Sequence, residues 1–448
     1  MKMSTNSLLN KCKVAVCQFT ATNNKSSNFA IVKRLIENAK QENAQIAFLP
    51  EACDYIASTK SEIYQLAENI DGPLVTEYRN VAKCNQIWLS VGGFHERCSE
   101  NTVFNSHLLI DDLGNIRSIY RKIHLFDVEI PEKKISLKES EICKGGFEII
   151  PPTKTPAGLL GLAICYDLRF PELSLIQTKM GANILSFPSA FTAVTGAAHW
   201  EILLRARAIE NQCYVIAAAQ YGEHNSKRSS YGHSLIIDPW GIVKAECPKY
   251  NTDIPNNESI AFAEIDLDYL DKIKSEMPVQ QHRRNDIYNL SILTSSTEVN
   301  MDYNFADKII PSSTVFFQSK YCFAFTNIRC VVPGHVLVAT KRCTPRLLDL
   351  SQEEIADLFQ TVIRIQKTME KEHNAGSSTI CVQDGQLAGQ TVPHVHVHIL
   401  PRKENDFQRN DDIYLELAKH DSDNNIQPLR ALQEMTDEAS KLKSYFNI

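Results

Sequence analysis

Residues 394–400 read His-Val-His-Val-His-Ile-Leu. Side chains in a strand alternate with a period of two, so His394, His396 and His398 fall on one face and Val395, Val397 and Ile399 on the other. The apolar face belongs in a core. The imidazole face is expected to be open to solvent, because three aligned imidazoles serve packing poorly. Zinc is the obvious competitor for such a set, since neutral imidazoles suit it. No nearby Cys or carboxylate has the spacing to complete a metal site, so the stretch predicts a strand that carries chemistry without one.

Outward from this strand the pattern is that of a small α+β domain. VFFQSKYCFAFTN (315–327), HVLVATK (335–341) and STICVQD (378–384) read as strands, and 351–373 as a helix. KENDFQRNDDIY (403–414) is strongly polar and predicts a mobile loop. Residues 291–303, SILTSSTEVNMDY, are polar and lack periodicity, which makes them a linker between a domain at 12–290 and a second at 304–448.

The first domain alternates strands and helices. KVAVCQF (13–19), AQIAFLP (44–50), IWLSVGG (87–93), NSHLLID (105–111) and IRSIY (116–120) read as strands around a helix at 26–41. GLLGLAIC (158–165), ANILSFP (182–188), YVIAAAQ (214–220), HSLIID (233–238), IVKAEC (242–247) and IAFAEIDL (260–267) follow as strands, with helices at 171–180 and 199–212. Interleaving of this kind predicts an α/β domain whose sheet faces are covered.

Composition narrows the function classes. A net charge of -6 without a basic block argues against a nucleic-acid binder. Thirteen cysteines without C-x-x-C spacing point to a reducing compartment. The start, MKMSTNSLLNK, lacks the apolar core of a secretory signal. No apolar run reaches the ~18 to 20 residues of a membrane span. The expectation is a soluble cytoplasmic protein, with nuclear entry open and no membrane partner.

Three positions in the first domain stand where strands end. Cys165 follows GLLGLAI, and a helix N-terminus beyond it is expected to favour the thiolate. A Cys after an apolar strand is ordinarily inert, so its company decides. Glu51 follows AQIAFLP, where a carboxylate is costly unless used or paired. It is placed to act as general base. Lys122 follows IRSIYR, where its ammonium, with the Tyr166 backbone N–H, would stabilise an oxyanion.

LPE (49–51), YRKIHLFD (120–127) and GLAICYDLRFPEL (161–173) together resemble the signatures of the nitrilase superfamily of carbon–nitrogen hydrolases. SFPSAFT (186–192) and HWEILLRARAIENQCYVIAAAQ (199–220) resemble its Nit branch. The resemblance implies an αββα sandwich with a Glu51–Lys122–Cys165 triad and a second glutamate, Glu139, that orients the lysine. It also implies a small-molecule amide substrate, deaminated glutathione, an α-keto amide with a dipeptide tail. Arg169 or Arg205 would then pair with its carboxylates. A true nitrilase would use the same triad, and the branch resemblance alone favours the amidase.

In the second domain, FAFTN (323–327), PGHVLVATKR (333–342) and QDGQLAGQTVPHVHVHILPR (383–402) resemble the Fhit branch of the histidine-triad hydrolases. The resemblance makes His396 a nucleophile that is transiently nucleotidylated. It sets His398 on the α-phosphate and leaving-group oxygens, with His394 and His335 orienting the imidazoles. Gln390 and Thr391, with the backbone around Gly389 and Val392, would cradle phosphate, and Asn327 and Gln383 would bind ribose and α-phosphate. The implied substrate is a dinucleoside polyphosphate, chiefly diadenosine triphosphate cleaved to AMP and ADP, accompanied by a divalent cation, Mg2+ or Mn2+. Pro393 departs from the family pattern, which has a basic residue there; it removes a strand N–H and one positive charge, and predicts that the strand starts or bulges at this point. Tyr414 matches a tyrosine of a mobile loop and is a candidate for phosphorylation.

The two resemblances in this order look like a fusion of a Nit and a Fhit domain, and imply a bifunctional hydrolase that assembles as a homotetramer. A competing role makes the Fhit half a nucleotide-dependent signalling module on a Nit scaffold. It needs the same pocket, but a scaffold has no use for Glu51, Lys122 and Cys165.

Overall fold

Along the strand Lys11–Phe19, Val14 and Val16 point to one side and Ala15 and Cys17 to the other, and all four are fully buried. A strand buried on both faces belongs inside a layered sheet. In the computed structural model, which describes residues 11–130, 135–250, 258–284, 287, 290, 302–420 and 429–446, the chain divides into two compact units, Met1–Leu290 and Ser291–Ile448.

The first unit holds two six-stranded sheets. One runs Glu258–Asp266, Lys11–Phe19, Ile46–Phe48, Trp88–Ser99, Thr102–Ile110 and Ile116–Arg121. The other runs Val243–Glu246, Leu235–Ile237, Tyr214–Ala217, Ile184–Ser186, Gly158–Leu162 and Thr153–Thr155. Val14, Val16, Ile46 and Phe48 share a core with Leu160, Leu162, Ile184 and Ile216 between the sheets. Ala15, Cys17, Ala47 and Leu89 pack outward on Val32, Leu35 and Ile36 of the helix Lys25–Gln41 and on Leu74, Val75 and Tyr78 of the helix Pro73–Asn85. Trp200, Leu204 and Ala208 of the helix Ala193–Asn211 join the core of the second sheet. This is the expected αββα sandwich.

Several elements go beyond those read from the sequence. Pro73–Asn85 was legible, since Leu74, Val75, Tyr78, Val81 and Ala82 repeat at helical spacing behind a Pro at the first position. Leu267, read as the end of a strand, begins the helix Leu267–Glu276, with the Asp266 side chain accepting from the Tyr269 N–H. The strand 158–165 ends at Leu162.

His107 joins the two sheets. Its Nδ1–H donates to the Ala163 carbonyl at 3.0 Å, and its Nε2 accepts from the Ser90 hydroxyl at 2.6 Å. Burial pushes its pKa down to about 4. His224, donating to the Ala21 carbonyl, is likewise pushed to about 4 by burial and by Arg228. Between pH 6.5 and 4 the unfolded chain takes up a proton on each ring that the folded chain refuses. Stability is therefore complete above about pH 6.5 and is lost as pH falls toward 4, by about 3 kcal/mol for each ring. The urea midpoint of the first unit is expected to fall steeply over this window. A His107→Gln variant, weaker at pH 7, should show a shallower decline; an equal decline would remove His107 as a cause.

The second unit is built on a five-stranded antiparallel sheet ordered Val315–Gln318, Cys322–Thr326, Val336–Thr340, His396–Arg402 and Ser377–Cys381. Val336, Val338, Val397 and Ile399 face Leu358, Val362, Ile365 and Met369 of the helix Gln352–His373. Ser351 and Glu354 close the start of that helix as a reciprocal capping box. The opposite sheet face carries Phe323, Phe325, Leu337 and Ala339, packed under Phe305. Phe305 belongs to a hairpin, Tyr303–Phe305 with Lys308–Ile310, that begins where the sequence suggested linker. Residues 291–301 lie outside the described residues. The predicted loop 403–414 ends early, because Asp412–His420 is a helix that includes the exposed Tyr414.

Candidate active sites

The loop after Ile46–Phe48 brings Glu51 into the first unit's interior. Ala52 adopts φ 55°, and its N–H donates to the Gly93 carbonyl at 3.1 Å. Only glycine fits opposite: a Cβ on Gly93, itself at φ 64°, would lie 2.6 Å from Glu51 Cγ. Cys165 also takes a left-handed conformation, φ 45°, and its N–H donates to the Pro188 carbonyl at 2.9 Å. A non-glycine residue held there is strained, and such strain clusters at working sites.

The turn Cys165–Arg169 is 3-10, and the α-helix begins at Pro171. Asp167, fully buried, anchors it: Oδ2 accepts from the Ile164 N–H at 2.8 Å and the Tyr120 hydroxyl at 2.8 Å, and Oδ1 accepts from His124 Nδ1 at 2.8 Å. The cysteine turn is thereby tied to the segment that carries Lys122. Asp167 was not singled out from the sequence, although it stands two residues after Cys165.

Lys122 is 2% exposed. Its Nζ lies 3.1 Å from Glu51 Oε1 and 2.9 Å from Glu139 Oε2. Glu139 Oε2 also accepts from the Phe126 N–H at 2.8 Å. Burial lowers the Lys122 pKa, but Glu139 and Glu51 more than reverse this and hold it well above the ordinary value. Burial raises Glu51, but the Lys122 ammonium, the Cys165 thiol and the Asn105 amide together bring it below the ordinary value. Burial and the Glu51 charge push the Cys165 thiol strongly up. The expected thiolate is thus corrected. A five-residue 3-10 turn offers little dipole, and a sulfur beside a carboxylate in a dry site keeps its proton. A neutral thiol hydrogen-bonded to an ionised Glu51 can react only by handing over that proton in the step.

Asn105 is the other residue the sequence did not expose. Its Nδ2 donates to Glu51 Oε1 at 2.9 Å and Glu139 Oε1 at 3.0 Å. Of the two arginines named for substrate carboxylates, Arg169 stands in the Cys165 turn, over the rings of Tyr166 at 5.8 Å and Phe191 at 5.4 Å. Arg205 is committed elsewhere, to the Gly241 carbonyl at 2.9 Å and to Glu201.

In the second unit the strand starts at His396, so only His396 and His398 share its face. They lie opposite Ala339 and Leu337. His394 precedes the strand in the bend that Pro393 imposes, with its N–H on the Val392 carbonyl at 2.7 Å. The exposed imidazole face expected from the sequence is corrected. His394, His396, His398 and His335 are all buried, and the Phe305 ring lies 5.2 Å from His394 and 5.1 Å from His396. The covering hairpin is remote in sequence from the triad, which is why local periodicity missed it.

The hydrogen bonds assign the protons. His394 Nδ1 accepts from the Ala306 N–H at 3.2 Å, so its Nε2–H donates to the Thr340 carbonyl at 2.6 Å. Burial, opposed by that bond, leaves its pKa below the ordinary value. His396 Nδ1–H donates to the His394 carbonyl at 2.8 Å, which leaves the lone pair on Nε2. His335 Nδ1 accepts from the Val331 N–H at 3.3 Å, so Nε2–H donates to His398 Nδ1 at 2.9 Å and the proton of His398 sits on Nε2. A nucleophilic nitrogen and a donor therefore stand on neighbouring rings, 5.0 Å apart between centroids.

The turn beside them is held from within. Gly385 N–H donates to Gln390 Oε1 at 2.9 Å, and Gln390 Nε2 donates to the Pro345 carbonyl at 2.8 Å. The Gln390 side chain thus shapes the turn, while the buried Gln383 Oε1 has no hydrogen-bond partner among the described residues. Gly389, at φ 88°, approaches so closely that a Cβ would lie 3.1 Å from Gln383 Nε2. Thr391 is exposed beside the buried Val392. Asn327 is buried, with Nδ2 3.3 Å from His335 Nε2.

Two family models match in sequence: carbon–nitrogen hydrolase over residues 13–275 and the HIT domain over residues 310–405. The nitrilase and fragile histidine triad fusion protein NitFhit of Drosophila melanogaster is 47% identical over 433 residues, covering 96% of this chain and 92% of that protein. The chain belongs to the NitFhit family. The crystal structure of the Caenorhabditis elegans NitFhit protein superposes with a TM-score of 0.82 at 47% identity, covering 97% of this chain and 99% of that one. A rat protein named deaminated glutathione amidase is 50% identical over 279 residues, 61% of this chain and 83% of that protein. As a NitFhit chain, this one is a bifunctional hydrolase in two fold classes: mixed α/β sheets followed by a histidine-triad domain.

Proposed function

We propose that the first unit hydrolyses deaminated glutathione and the second hydrolyses diadenosine triphosphate. The observation that carries the first reading is the Glu51 carboxylate beside a neutral Cys165 thiol, with the Lys122 ammonium 3.1 Å from the same carboxylate. Glu51 takes the thiol proton as Cys165 Sγ bonds to the amide carbon. The oxyanion forms against Lys122 and the Tyr166 N–H. Glu51 returns the proton to the amide nitrogen, the C–N bond breaks and the dipeptide amine leaves. Glu51 then takes a proton from water, whose hydroxide attacks the thioester. The C–S bond breaks, the proton returns to Sγ and α-ketoglutarate departs. Arg169 is proposed as the cation for a substrate carboxylate. The rat relative's name supports the choice of amide.

In the second unit the His396 Nε2 lone pair attacks the α-phosphorus and ADP leaves. His398 Nε2–H donates to the α-phosphate or leaving oxygen, while His394 and His335 hold the tautomers. Water then breaks the phosphorus–nitrogen bond and AMP departs. Gln383, whose buried acceptor meets no donor among the described residues, suits a ribose hydroxyl. The Mg2+ or Mn2+ ion is proposed to travel with the phosphates, because both ring nitrogens of His394 and of His335 are already engaged.

We further propose a cytoplasmic homotetramer. Among the described residues the thirteen cysteines form no disulfide, and no helix is long and apolar enough to cross a membrane. Val194, Ile202 and Ile209 stand exposed on one helix of the first unit, as do Ile355, Phe359 and Ile363 on one of the second. Two different self-pairing faces generate a tetramer. The test is one preparation: light scattering is expected to give the mass of four chains, and assays both α-ketoglutarate from deaminated glutathione and AMP from diadenosine triphosphate. Folded protein that cleaves only the dinucleotide would overturn the amide assignment.

A further inference from the structure

Asn105 touches both glutamates of the first site and holds a polar atom in reserve for neither. It lies in the strand Thr102–Ile110 and is 6% exposed. One Nδ2 hydrogen goes to Glu51 Oε1 at 2.9 Å and the other to Glu139 Oε1 at 3.0 Å. Its main-chain carbonyl accepts from the Lys122 N–H at 2.9 Å, which fixes the backbone from which the ammonium projects. The flipped amide would set its oxygen against two carboxylate oxygens, so the orientation is determined. The consequence is a buried Oδ1 with no hydrogen-bond partner among the described residues. An acceptor left unmet in the interior is destabilising, and such groups persist where a working site requires them. The requirement here is for the two donors.

We propose that Asn105 is a positioning residue that keeps Glu51 ionised and aimed at the Cys165 thiol. A hydrogen bond donated to a carboxylate favours its charged form. Every other charge facing Glu51 leaves that task incomplete. Lys122 is shared with Glu139. Glu139 itself repels a second carboxylate charge. Arg228 acts only electrostatically, and Cys165 and Cys143 are neutral thiols raised by burial. Among the described residues Asn105 alone donates to both carboxylates without adding charge, so it relieves their repulsion while Lys122 remains between them. Removing it lets Glu51 retain a proton at higher pH, and a protonated Glu51 cannot accept one from the thiol.

The inference rests on the amidase reading of this site, and its test needs no amide substrate. The full chain is treated with iodoacetamide between pH 3 and 9, and alkylation of the Cys165 peptide is followed by mass spectrometry, apart from the exposed Cys84, Cys98 and Cys343. Asn105→Leu keeps the volume and removes both donors. Its acid limb is expected to move up by about one pH unit, a tenfold change in the ionisation ratio of Glu51. A limb that stays in place while the whole profile drops would reduce Asn105 to a packing residue and overturn the proposal. Asn105→Ala carries the same two outcomes if the leucine variant does not fold. Cys165 that is inert in the unaltered protein at every pH would remove the nucleophile, and the proposal with it.

Discussion

Cys165→Ala is expected to lower α-ketoglutarate release from deaminated glutathione by at least about a thousandfold, while diadenosine triphosphate cleavage by the same chain is unchanged. Removing a nucleophile takes away the covalent route entirely, and losses of this order or greater follow in comparable enzymes. The second activity is an internal control, because its catalytic groups belong to a separately packed unit. Cys165 holds φ 45°, so alanine inherits its backbone strain unchanged, and folding should not be the variable. Persistent release from Cys165→Ala would mean that water, not sulfur, attacks the amide. Release from neither protein would instead implicate the choice of amide.

The second large effect is expected at His396. In His396→Asn the side-chain amide can still donate to the His394 carbonyl, which His396 Nδ1 now contacts at 2.8 Å. What disappears is the Nε2 lone pair. Turnover of diadenosine triphosphate is expected to fall by about three orders of magnitude or more, with binding by calorimetry changed by less than about threefold. Such separation of occupancy from turnover is also what a signalling role would exploit, so the variant tests both. Retained turnover would eliminate the nucleotidyl-histidine. A parallel loss of binding would show that His396 chiefly shapes the pocket.

Much of both sites was legible in local patterns because strand ends are local. Glu51 and Cys165 each follow a short apolar run and Lys122 follows the strand Ile116–Arg121, and the end of a strand in a covered sheet is where the backbone turns toward a cleft. The alternation around His396 likewise placed one face inward and one on the histidines. What local pattern could not supply is which distant segment closes over a site. Phe305 covers the triad from some ninety residues away. Asn105 reaches Glu51 across 54 residues and Asp167 reaches Tyr120 across 47.

By itself, then, the amino-acid order determined two domains, their layered α/β and α+β character, and the residue types at each chemical centre, since period, apolar runs and motif spacing are properties of neighbours along the chain. Only the tertiary structure decided the protonation of those centres. Whether Cys165 keeps its proton depends on burial and on a carboxylate 114 positions earlier in the sequence. Which nitrogen of His396 carries the proton depends on where one carbonyl points. Dielectric and hydrogen-bond direction arise from packing in space, and no local pattern encodes them.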